Sequence, residues 1–562
     1  MIAWIANTLH GSPELAMFLA VAIGYWLGNI KFGKFSLGTV TAALFAGLVI
    51  GQVGVEMSHE LRWGLFYLFL FANGYSAGPQ FFRALKQDGV KPLALSLTVT
   101  VAGLAAAYAM SRLLKLDPGM SAGLVSGSLT QSSVIGTATD AIMNLSLPLE
   151  QRKLFANHVA VADALTYVFG AFGMIWFVSS VAPKLLKIDL KKEAAALDAQ
   201  YGIKAETPGV YSAYRKHSAR AYRVTDSAFV GKTVAEIEHN DEGLRYFVER
   251  IHRGGSILEV QPDTSLQCDD VVVVSGRIDS LLLVGPRFGT EMNDPELLDF
   301  PVAVSNVAVT NAAVVGPTLA ELTVSREFDF RGIALRMLTR AGQEIPLGPA
   351  TVLHRGDVLE LIGPQRAVER VAHEIGYALP QSSSTKLSTV GFGILAGALI
   401  GLPYLMVGNV KLTLSVSVGA LVAGLVFGWV RSVRPTFGSI PQPTLQFMID
   451  FGLAAFVAGA GLQAGPEFVH AVRTLGVPLL LAGAVVTLVP QIATLSVGRY
   501  LLRMNPLILL GGLAGAQTFT AALAAVQEKA GSRSPVLGYT VPYAVSNILL
   551  TVCGSLIVEL VT

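Results

Sequence analysis

The chain has 562 residues, of which 52% are hydrophobic and only 14% are charged, and its formal net charge is +2. Because about a quarter of the residues of a soluble protein are charged, this composition excludes an ordinary soluble protein. The small net charge gives no reason to expect nucleic acid as a partner. Charged residues concentrate between about 184 and 386, between long apolar flanks. We therefore predict a polytopic α-helical membrane protein with a soluble insert.

Apolar stretches of about 20 residues are long enough to cross a bilayer as helices. Each flank contains five such stretches. In the first flank they are 13–30, 35–53, 63–77, 92–114 and 154–181. In the second they are 387–407, 412–430, 445–464, 477–502 and 539–561.

The two flanks repeat each other. The segment 74–81, GYSAGPQF, returns as 461–468, GLQAGPEF. Farther along, the triplet that begins at Asp163 falls opposite the one that begins at Asn547. Matched spacing at several anchors predicts two homologous membrane repeats, residues 1–190 and 386–562.

A polar block interrupts each flank between its fourth and fifth apolar stretches, within 118–143 and within 506–528. If each of these segments crosses once, the repeats are parallel, and if each dips in and returns, the repeats are inverted. The distribution of lysine and arginine favours the second arrangement. We expect two inverted repeats of about five spans plus a re-entrant hairpin each, with periplasmic termini and a cytoplasmic insert.

The insert is itself doubled. Thr264–Val271 matches Thr351–Val358, and each is followed by an apolar run that is typical of a buried strand. Short helices are predicted at 233–238 and 318–322. The pattern predicts two small α+β domains, 205–290 and 298–378.

These paired modules, each with an Asp-Val turn, a strand and a glycine, resemble the C-terminal regulatory domains of potassium-conductance regulators. Placed between two halves that carry Gly-Pro-Gln-Phe or Gly-Pro-Glu-Phe, they make the chain similar to the aspartate:alanine exchanger family of secondary transporters. The resemblance implies antiport of small amino acids or dicarboxylates and no enzymatic activity. We expect alternating access, of elevator type, by a homodimer in the bacterial inner membrane.

A small anionic or zwitterionic substrate, such as aspartate, alanine or a dicarboxylate, needs hydrogen-bond donors at mid-membrane. A helix N-terminus supplies free N–H groups and roughly half a positive charge, and a re-entrant hairpin brings such an end to mid-depth. Helix packing is the alternative role for small polar residues. The predicted substrate-binding residues are Ser128, Thr130, Gln131, Ser132, Ser133, Gln463, Gln517, Thr518 and Thr520.

Glycine and proline in the apolar flanks predict turns and helix ends. Proline removes a backbone donor and restricts the residue before it, and glycine allows close approach of the backbone to a ligand. The predicted hairpin and helix-break positions are Gly78, Pro79, Gly127, Gly465, Pro466 and Gly515.

Asp163 lies in the middle of an apolar stretch, where a carboxylate is a functional candidate by default. It is predicted to couple transport to an ion or proton, and a hydrogen bond to a neighbouring helix is the structural alternative. A cation:proton antiporter centred on Asp163 therefore stays open as an alternative, and so does a gated ion channel or transporter, because the insert modules resemble those that serve potassium systems. Cys268 and Cys553 lie in the insert and the last span, and no metal motif occurs. We expect no disulfide, metal or cofactor.

Overall fold

The computed structural model describes residues 2–32, 35–36, 38–55, 57–86, 90–203, 217–239, 244, 246–325, 328, 330, 332–340, 342–379, 385–407, 410–413, 415–434 and 437–562. The chain forms two compact units. The first comprises Met1–Leu197 and Ser383–Thr562, and the second comprises Asp198–Ser382.

The first part of the chain is almost entirely helical. Its helices are α1 (Ile2–Gly11), α2 (Pro13–Gly28), α3 (Thr39–Ile50), α4 (His59–Lys86), α5 (Val90–Leu114), α6 (Pro118–Ser128), α7 (Ser133–Met143), α8 (Leu149–Trp176), α9 (Ala182–Leu186) and α10 (Leu190–Tyr201). A two-stranded ribbon, β1 (Lys31–Phe32) and β2 (Phe35–Ser36), separates α2 from α3.

The insert contains two five-stranded sheets. The first module has β3 (His217–Val224), α11 (Val234–His239), β4 (Tyr246–Arg253), β5 (Ser256–Glu259), β6 (Val271–Arg277), α12 (Ile278–Phe288), β7 (Gly289–Met292) and α13 (Pro295–Leu298). The second has β8 (Val302–Val309), α14 (Leu319–Val324), β9 (Ala334–Arg340), β10 (Gln343–Ile345), β11 (Val358–Pro364), α15 (Gln365–Ile375) and β12 (Gly376–Ala378). The strand orders, β5-β4-β6-β3-β7 and β10-β9-β11-β8-β12, are the same.

The last part of the chain returns to helix. It contains α16 (Leu387–Gly401), the ribbon β13 (Tyr404–Val407) and β14 (Val410–Thr413), α17 (Ser415–Val433), α18 (Gln442–Ser496), α19 (Pro506–Ala516), α20 (Thr520–Ala530) and α21 (Val536–Val561). In the described parts of the chain, five helical segments are long and apolar enough to cross a membrane: Val90–Leu114, Leu149–Leu186, Ser415–Val433, Gln442–Leu501 and Val536–Val561.

Helix α18 differs from the prediction. Two apolar stretches, 445–464 and 477–502, were expected as separate spans, yet one helix of 55 residues runs through nearly all of both. The predicted breaks at the Gly-Pro anchors are also wrong, since α4 continues through Gly78 and Pro79, and α18 continues through Gly465 and Pro466.

The reason is a pair of contacts between the two halves of the chain. Proline leaves the carbonyl four residues earlier without its helical donor. The carbonyl oxygen of Tyr75, freed by Pro79, lies against Gly428 of α17, and the carbonyl oxygen of Leu462 lies against Gly51 at the end of α3. Cα–H···O contacts of this kind recur where helices pack closely. A partner distant in sequence therefore accommodates each proline, and the helix continues.

Gly428→Ala is expected to destabilise the protein. A Cβ at this position would overlap the backbone of Tyr75, and overpacking of this kind costs about 1–3 kcal/mol. The thermal unfolding midpoint of the full chain in detergent should fall. The matched control is Gly391→Ala in α16, where a Cβ meets no atom within 4 Å. An equal effect of the two substitutions would contradict this role of the contact between Gly428 and Tyr75.

Each insert module contains an arginine–aspartate ion pair whose aspartate is buried. The Asp-Val turn that the sequence repeats places Asp270 before β6 and Asp357 before β11. Arg253 donates to both carboxylate oxygens of Asp270 at 2.8 and 2.7 Å, and Arg340 donates to both of Asp357 at 2.7 Å. Each carboxylate also accepts a backbone N–H of its own turn. The repeated motif thus fixes the turn to the neighbouring strand.

Arg340→Ala is expected to unfold or loosen the second module. The Arg340 and Asp357 side chains are 7% and 0% exposed, and removing one partner of a buried pair costs about 3–5 kcal/mol. Limited proteolysis of the full chain should then cut within 298–378 at lower protease concentration. The control is Arg336→Ala, because Arg336 pairs with Glu360 at the surface, where a pair contributes about 0–1 kcal/mol. Equal protease resistance in both variants would refute the assignment.

Candidate functional site

The first polar block forms a sharp helix break. Helix α6 ends at Ser128, and the N–H of Thr130 donates to the Gly127 carbonyl while the N–H of Gln131 donates to the Ser126 carbonyl. These two bonds form a Schellman motif, in which the residue after the helix cap takes a left-handed conformation. Thr130 has φ 55°, which is unusual for a β-branched residue. The break is therefore strained and held by its surroundings.

The second polar block has the same backbone conformation and the same pair of hydrogen bonds. Helix α19 ends at Ala516, and the N–H groups of Thr518 and Phe519 donate to the carbonyls of Gly515 and Ala514. Thr518 also has φ 55°. Strain at the same place in both halves points to a shared role, because such conformations cluster at functional sites.

The four short helices beside the breaks are capped unequally. The first arms begin with side-chain caps, in which Asp117 accepts from the N–H of Met120 and Asn505 accepts from the first turn of α19. The second arms have none: Ser132 makes no capping bond at α7, and Phe519 precedes α20. The N–H groups of Val134, Ile135 and Ala522 donate to backbone carbonyls of the tips, so only the N–H groups before them depend on a cap or a ligand. Each break thus presents one uncapped N-terminus.

The chain reverses direction at the first break. Gly119 of α6 packs on the backbone of Phe155, and Gly127 packs beside Thr166, so α6 and α8 run in the same direction. Helix α8 begins near the start of α6, where Arg152 donates to the carbonyl of Met143 at 2.5 Å. Because α7 joins the far end of α6 to this point, α7 runs back along α6.

The second break has the same arrangement. Gly511 packs on the backbone of Pro535, and Gly515 packs on that of Tyr539, so α19 and α21 run in the same direction. Gly127 and Gly515 thus bring helices together, and the backbone that each approaches belongs to α8 or α21. Helices α6 and α19 end one residue after these glycines, at Ser128 and Ala516.

The two breaks, called here the hairpin tips (residues 128–133 and 516–520), touch each other. The Thr130 hydroxyl donates to the Gln517 backbone carbonyl at 3.1 Å, and the Thr518 hydroxyl donates to Gln131 Oε1 at 2.6 Å. Gln517 Nε2 in turn donates to the Ser128 carbonyl at 3.0 Å. Five predicted substrate-binding residues therefore meet at one place.

Helix α21 continues this polar cluster. Gln131 Nε2 donates to Asn547 Oδ1 at 2.9 Å and to the Thr551 hydroxyl at 3.1 Å, and Ser133 shares a 2.6 Å hydrogen bond with Thr551. Thr137 donates to the Thr551 carbonyl at 2.7 Å. Since contacts advance along both helices together, α7 and α21 run in the same direction.

Three further polar residues escaped the sequence analysis. Asn547 Nδ2 donates to Asn73 Oδ1 on α4 at 2.8 Å. On α18, Thr487 donates to the Ser128 carbonyl at 2.9 Å, and Gln491 Nε2 donates to Gln517 Oε1. Each is a single amide or hydroxyl in an apolar run. The only signal in the sequence was polarity at membrane depth, which packing residues share.

Asp163 lies on α8 directly behind the first tip. It is 1% exposed, its backbone carbonyl borders Gly127, and the Ser126 hydroxyl is within hydrogen-bonding reach of its carboxyl group. Its Oδ1 has no hydrogen-bond donor in the described part of the chain. A buried carboxyl oxygen without a donor can carry a proton or accept a hydrogen bond from a ligand.

The other predicted residues make none of the hydrogen bonds described between the tips: Ser132 and Thr520 belong to the tips, and Gln463 lies outside them. Ser132 is half-buried at the start of α7. Thr520 shares a 2.8 Å hydrogen bond with the Tyr539 hydroxyl. Gln463 lies on α18 against Arg62 of α4. Cys268 is exposed, Cys553 is buried, and both are free.

Comparison with known proteins identifies the chain's relatives. The model of a predicted permease membrane region, that of the aspartate–alanine exchanger family, matches residues 16–183 and 389–559, and the TrkA-C domain matches residues 220–289. An uncharacterized transporter of Bradyrhizobium diazoefficiens is 47% identical over 92% of this chain and 100% of its own length. An uncharacterized transporter of Shewanella oneidensis is 39% identical over 100% of both chains. No solved structure matches.

The family match covers both helical flanks, and the TrkA-C match falls on the first module of the insert. The two relatives cover 92% and 100% of the chain and are named as uncharacterized transporters. The chain therefore belongs to the aspartate–alanine exchanger family and is a multi-pass membrane transporter, not an enzyme, with an inserted TrkA-C domain.

Proposed function

We propose that this protein is a secondary active transporter that exchanges small amino acids or dicarboxylates, as an aspartate:alanine antiporter does. The observation that carries the proposal is the meeting of two hairpin tips, each with an uncapped helix N-terminus beside hydroxyl and amide groups. Free N–H groups at a helix N-terminus favour a carboxylate. A substrate carboxylate would replace bonds that now join the tips, such as the one from Thr518 to Gln131.

The proposed topology is two inverted repeats of about five spans and a re-entrant hairpin each, in which the two apolar stretches of α18, 445–464 and 477–502, count as two spans. Each hairpin arm has 11 residues, or about 16 Å, which is half of a hydrocarbon core. Helix α8 runs parallel to α6, α21 runs parallel to α7, and α7 runs antiparallel to α6. It follows that α8 and α21 run in opposite directions, as inverted repeats require.

The proposed mechanism is alternating access of elevator type within a homodimer. The hairpins with α8 and α21 would carry the substrate past a scaffold of α3, α4, α17 and α18, whose reciprocal glycine contacts support a rigid body. Moving an uncapped N-terminus through apolar surroundings is costly until a carboxylate binds it. The empty carrier would therefore cross slowly, which favours exchange over uniport.

The proposed setting is a bacterial inner membrane, with periplasmic termini and cytoplasmic regulatory domains. The lysine and arginine distribution supports this orientation. The second sheet has the strand order of the first, which supports two copies of one domain, at 205–290 and 298–378. We propose that they sense a ligand that controls transport.

A cation:proton antiporter is the second candidate function. It is favoured by the buried Asp163 carboxyl group with its unpartnered Oδ1, since carboxyl groups at membrane depth mark ion and proton pathways. In this reading the tips would position Asp163 and bind no organic acid.

Counterflow in proteoliposomes separates the two. Vesicles are loaded with unlabelled aspartate, alanine or succinate, and each labelled compound is added outside in turn. Exchange predicts saturable uptake that depends on a particular internal substrate. Uptake that ignores the internal contents, or no uptake of any of the acids, would overturn the exchanger and leave the antiporter.

A further inference from the structure

A buried arginine lies outside the hairpin tips. Arg62, in the first turns of α4, is 8% exposed. Its Nη1 donates to Gln463 Oε1, and its guanidinium lies 5.9 Å from the centre of the Phe456 ring. Its Nε has no acceptor, and no acidic side chain pairs with it among the described residues. Gln463 is the one predicted substrate-binding residue for which the tips give no explanation.

These contacts compensate poorly for the burial of a full charge. Arginine stays protonated in proteins, and its guanidinium has five N–H donors in a fixed fork. Among the described residues, a neutral amide oxygen and one aromatic ring are the contacts of this charge, and burying an ion without a counter-ion is among the most expensive changes in a fold. At the end of an apolar span, a buried charge of this kind points to a ligand or a charged partner.

The surroundings connect this arginine with the transport site. One turn farther along α4, Phe66 stacks on Phe456 with ring centroids 4.3 Å apart, and its ring closes against Gly136 of α7. Farther along the same helix, Asn73 bonds to Asn547 of the tip cluster. Along α4, Arg62 comes first, the aromatic pair next and the contact with the tip cluster last, and the rise from Arg62 to Asn73 is about 16 Å.

We propose that Arg62 and Gln463 form a second carboxylate subsite, which holds one carboxylate of a small organic acid on its way to or from the hairpin tips. The subsite rests on the proposed function. The fork of Arg62 would bind a carboxylate through two N–H groups. Gln463 Nε2 makes a long hydrogen bond of 3.4 Å to the Met57 carbonyl, and it would turn to donate to the ligand. The Phe66–Phe456 pair separates this subsite from the tips.

The test is transport and binding by the full chain with Arg62→Gln. This variant removes the charge and keeps an amide to bond Gln463. Counterflow of succinate should show a KM raised at least about tenfold, equivalent to about 1.4 kcal/mol, with a smaller change for alanine, which has one carboxylate fewer. Arg62→Lys should recover part of the affinity, because lysine restores charge without the fork. The control is Arg473→Gln, an exposed arginine on α18.

A thermal-shift measurement separates this role from a structural one. Without ligand, Arg62→Gln should unfold at the same or a higher temperature than the wild type, because an unbalanced charge is removed. The stabilisation that succinate gives to the wild type should shrink. An unchanged KM and succinate shift would overturn the subsite while leaving the exchanger intact. If the wild type exchanges none of the acids, the exchanger proposal fails, and the thermal shift given by succinate then tests the subsite alone. A shift that the wild type shows and Arg62→Gln loses supports the subsite. No shift in the wild type, or an unchanged shift in Arg62→Gln, refutes it.

Discussion

Gln131→Ala is expected to abolish exchange, with a loss of at least about a hundredfold in counterflow rate, equivalent to about 2.7 kcal/mol. Gln131 joins three elements at once: it accepts from Thr518 of the other tip and donates to Asn547 and Thr551 of α21. Alanine would leave these buried groups without partners, and each such group costs about 1–3 kcal/mol. The two tips would lose their alignment.

The measurement is the initial rate of counterflow, normalised to the amount of folded protein in the vesicles. Gln446→Ala is the matched control, because Gln446 is exposed on α18 and bonds only to Asp450 one turn away. If Gln131→Ala exchanges within about threefold of the wild type, equivalent to about 0.65 kcal/mol, the tips do not hold the substrate.

Asp163→Asn is expected to remove the coupling of transport to ions. Asparagine keeps the size of the side chain and occupies the matching position, Asn547, in the second repeat. The asparagine amide cannot take up and release a proton as a carboxyl group does, and it cannot balance the charge of a cation. The stimulation that a proton or sodium gradient gives to uptake should fall at least about tenfold, equivalent to about 1.4 kcal/mol of coupling free energy.

The experiment compares uptake with and without an imposed gradient, in vesicles that contain equal internal substrate. Asp450→Asn serves as the control, since the Asp450 carboxyl group is only half-buried and accepts from Gln446 at 2.8 Å. Gradient stimulation that survives in Asp163→Asn would assign Asp163 to packing, as the neutral Asn547 already suggests for its own helix.

The sequence located the polar blocks but not their geometry. Polar residues within apolar flanks predicted helix interruptions, and the breaks lie there, after Ser128 and Ala516. The left-handed conformation of Thr130 and Thr518 was not predictable, because threonine disfavours it. It persists because backbone bonds and a bond from each threonine to the opposite tip hold it, and those partners are distant in sequence.

The Gly-Pro anchors show the opposite case, in which a sound local rule failed. Proline predicted a helix end, and α4 and α18 run on because Gly428 and Gly51 of other helices meet the freed carbonyls. Arg62 and Asn73 were missed for a related reason. A lone polar residue in an apolar run has no periodic signal, and only the fold reveals what it faces.

The most direct test of the central claim, that both tips hold one carboxylate substrate, is the dissociation constant of labelled aspartate for Ser132→Ala, Gln517→Ala and the double variant. Ser132 directly precedes α7 at one tip, and Gln517 directly follows α19 at the other. We predict that each single change weakens aspartate binding about tenfold, or by about 1.4 kcal/mol. The effects of the two changes should not add in the double variant, as expected for two residues that contact the same substrate. Binding as tight as in the wild type in both single variants would contradict the account.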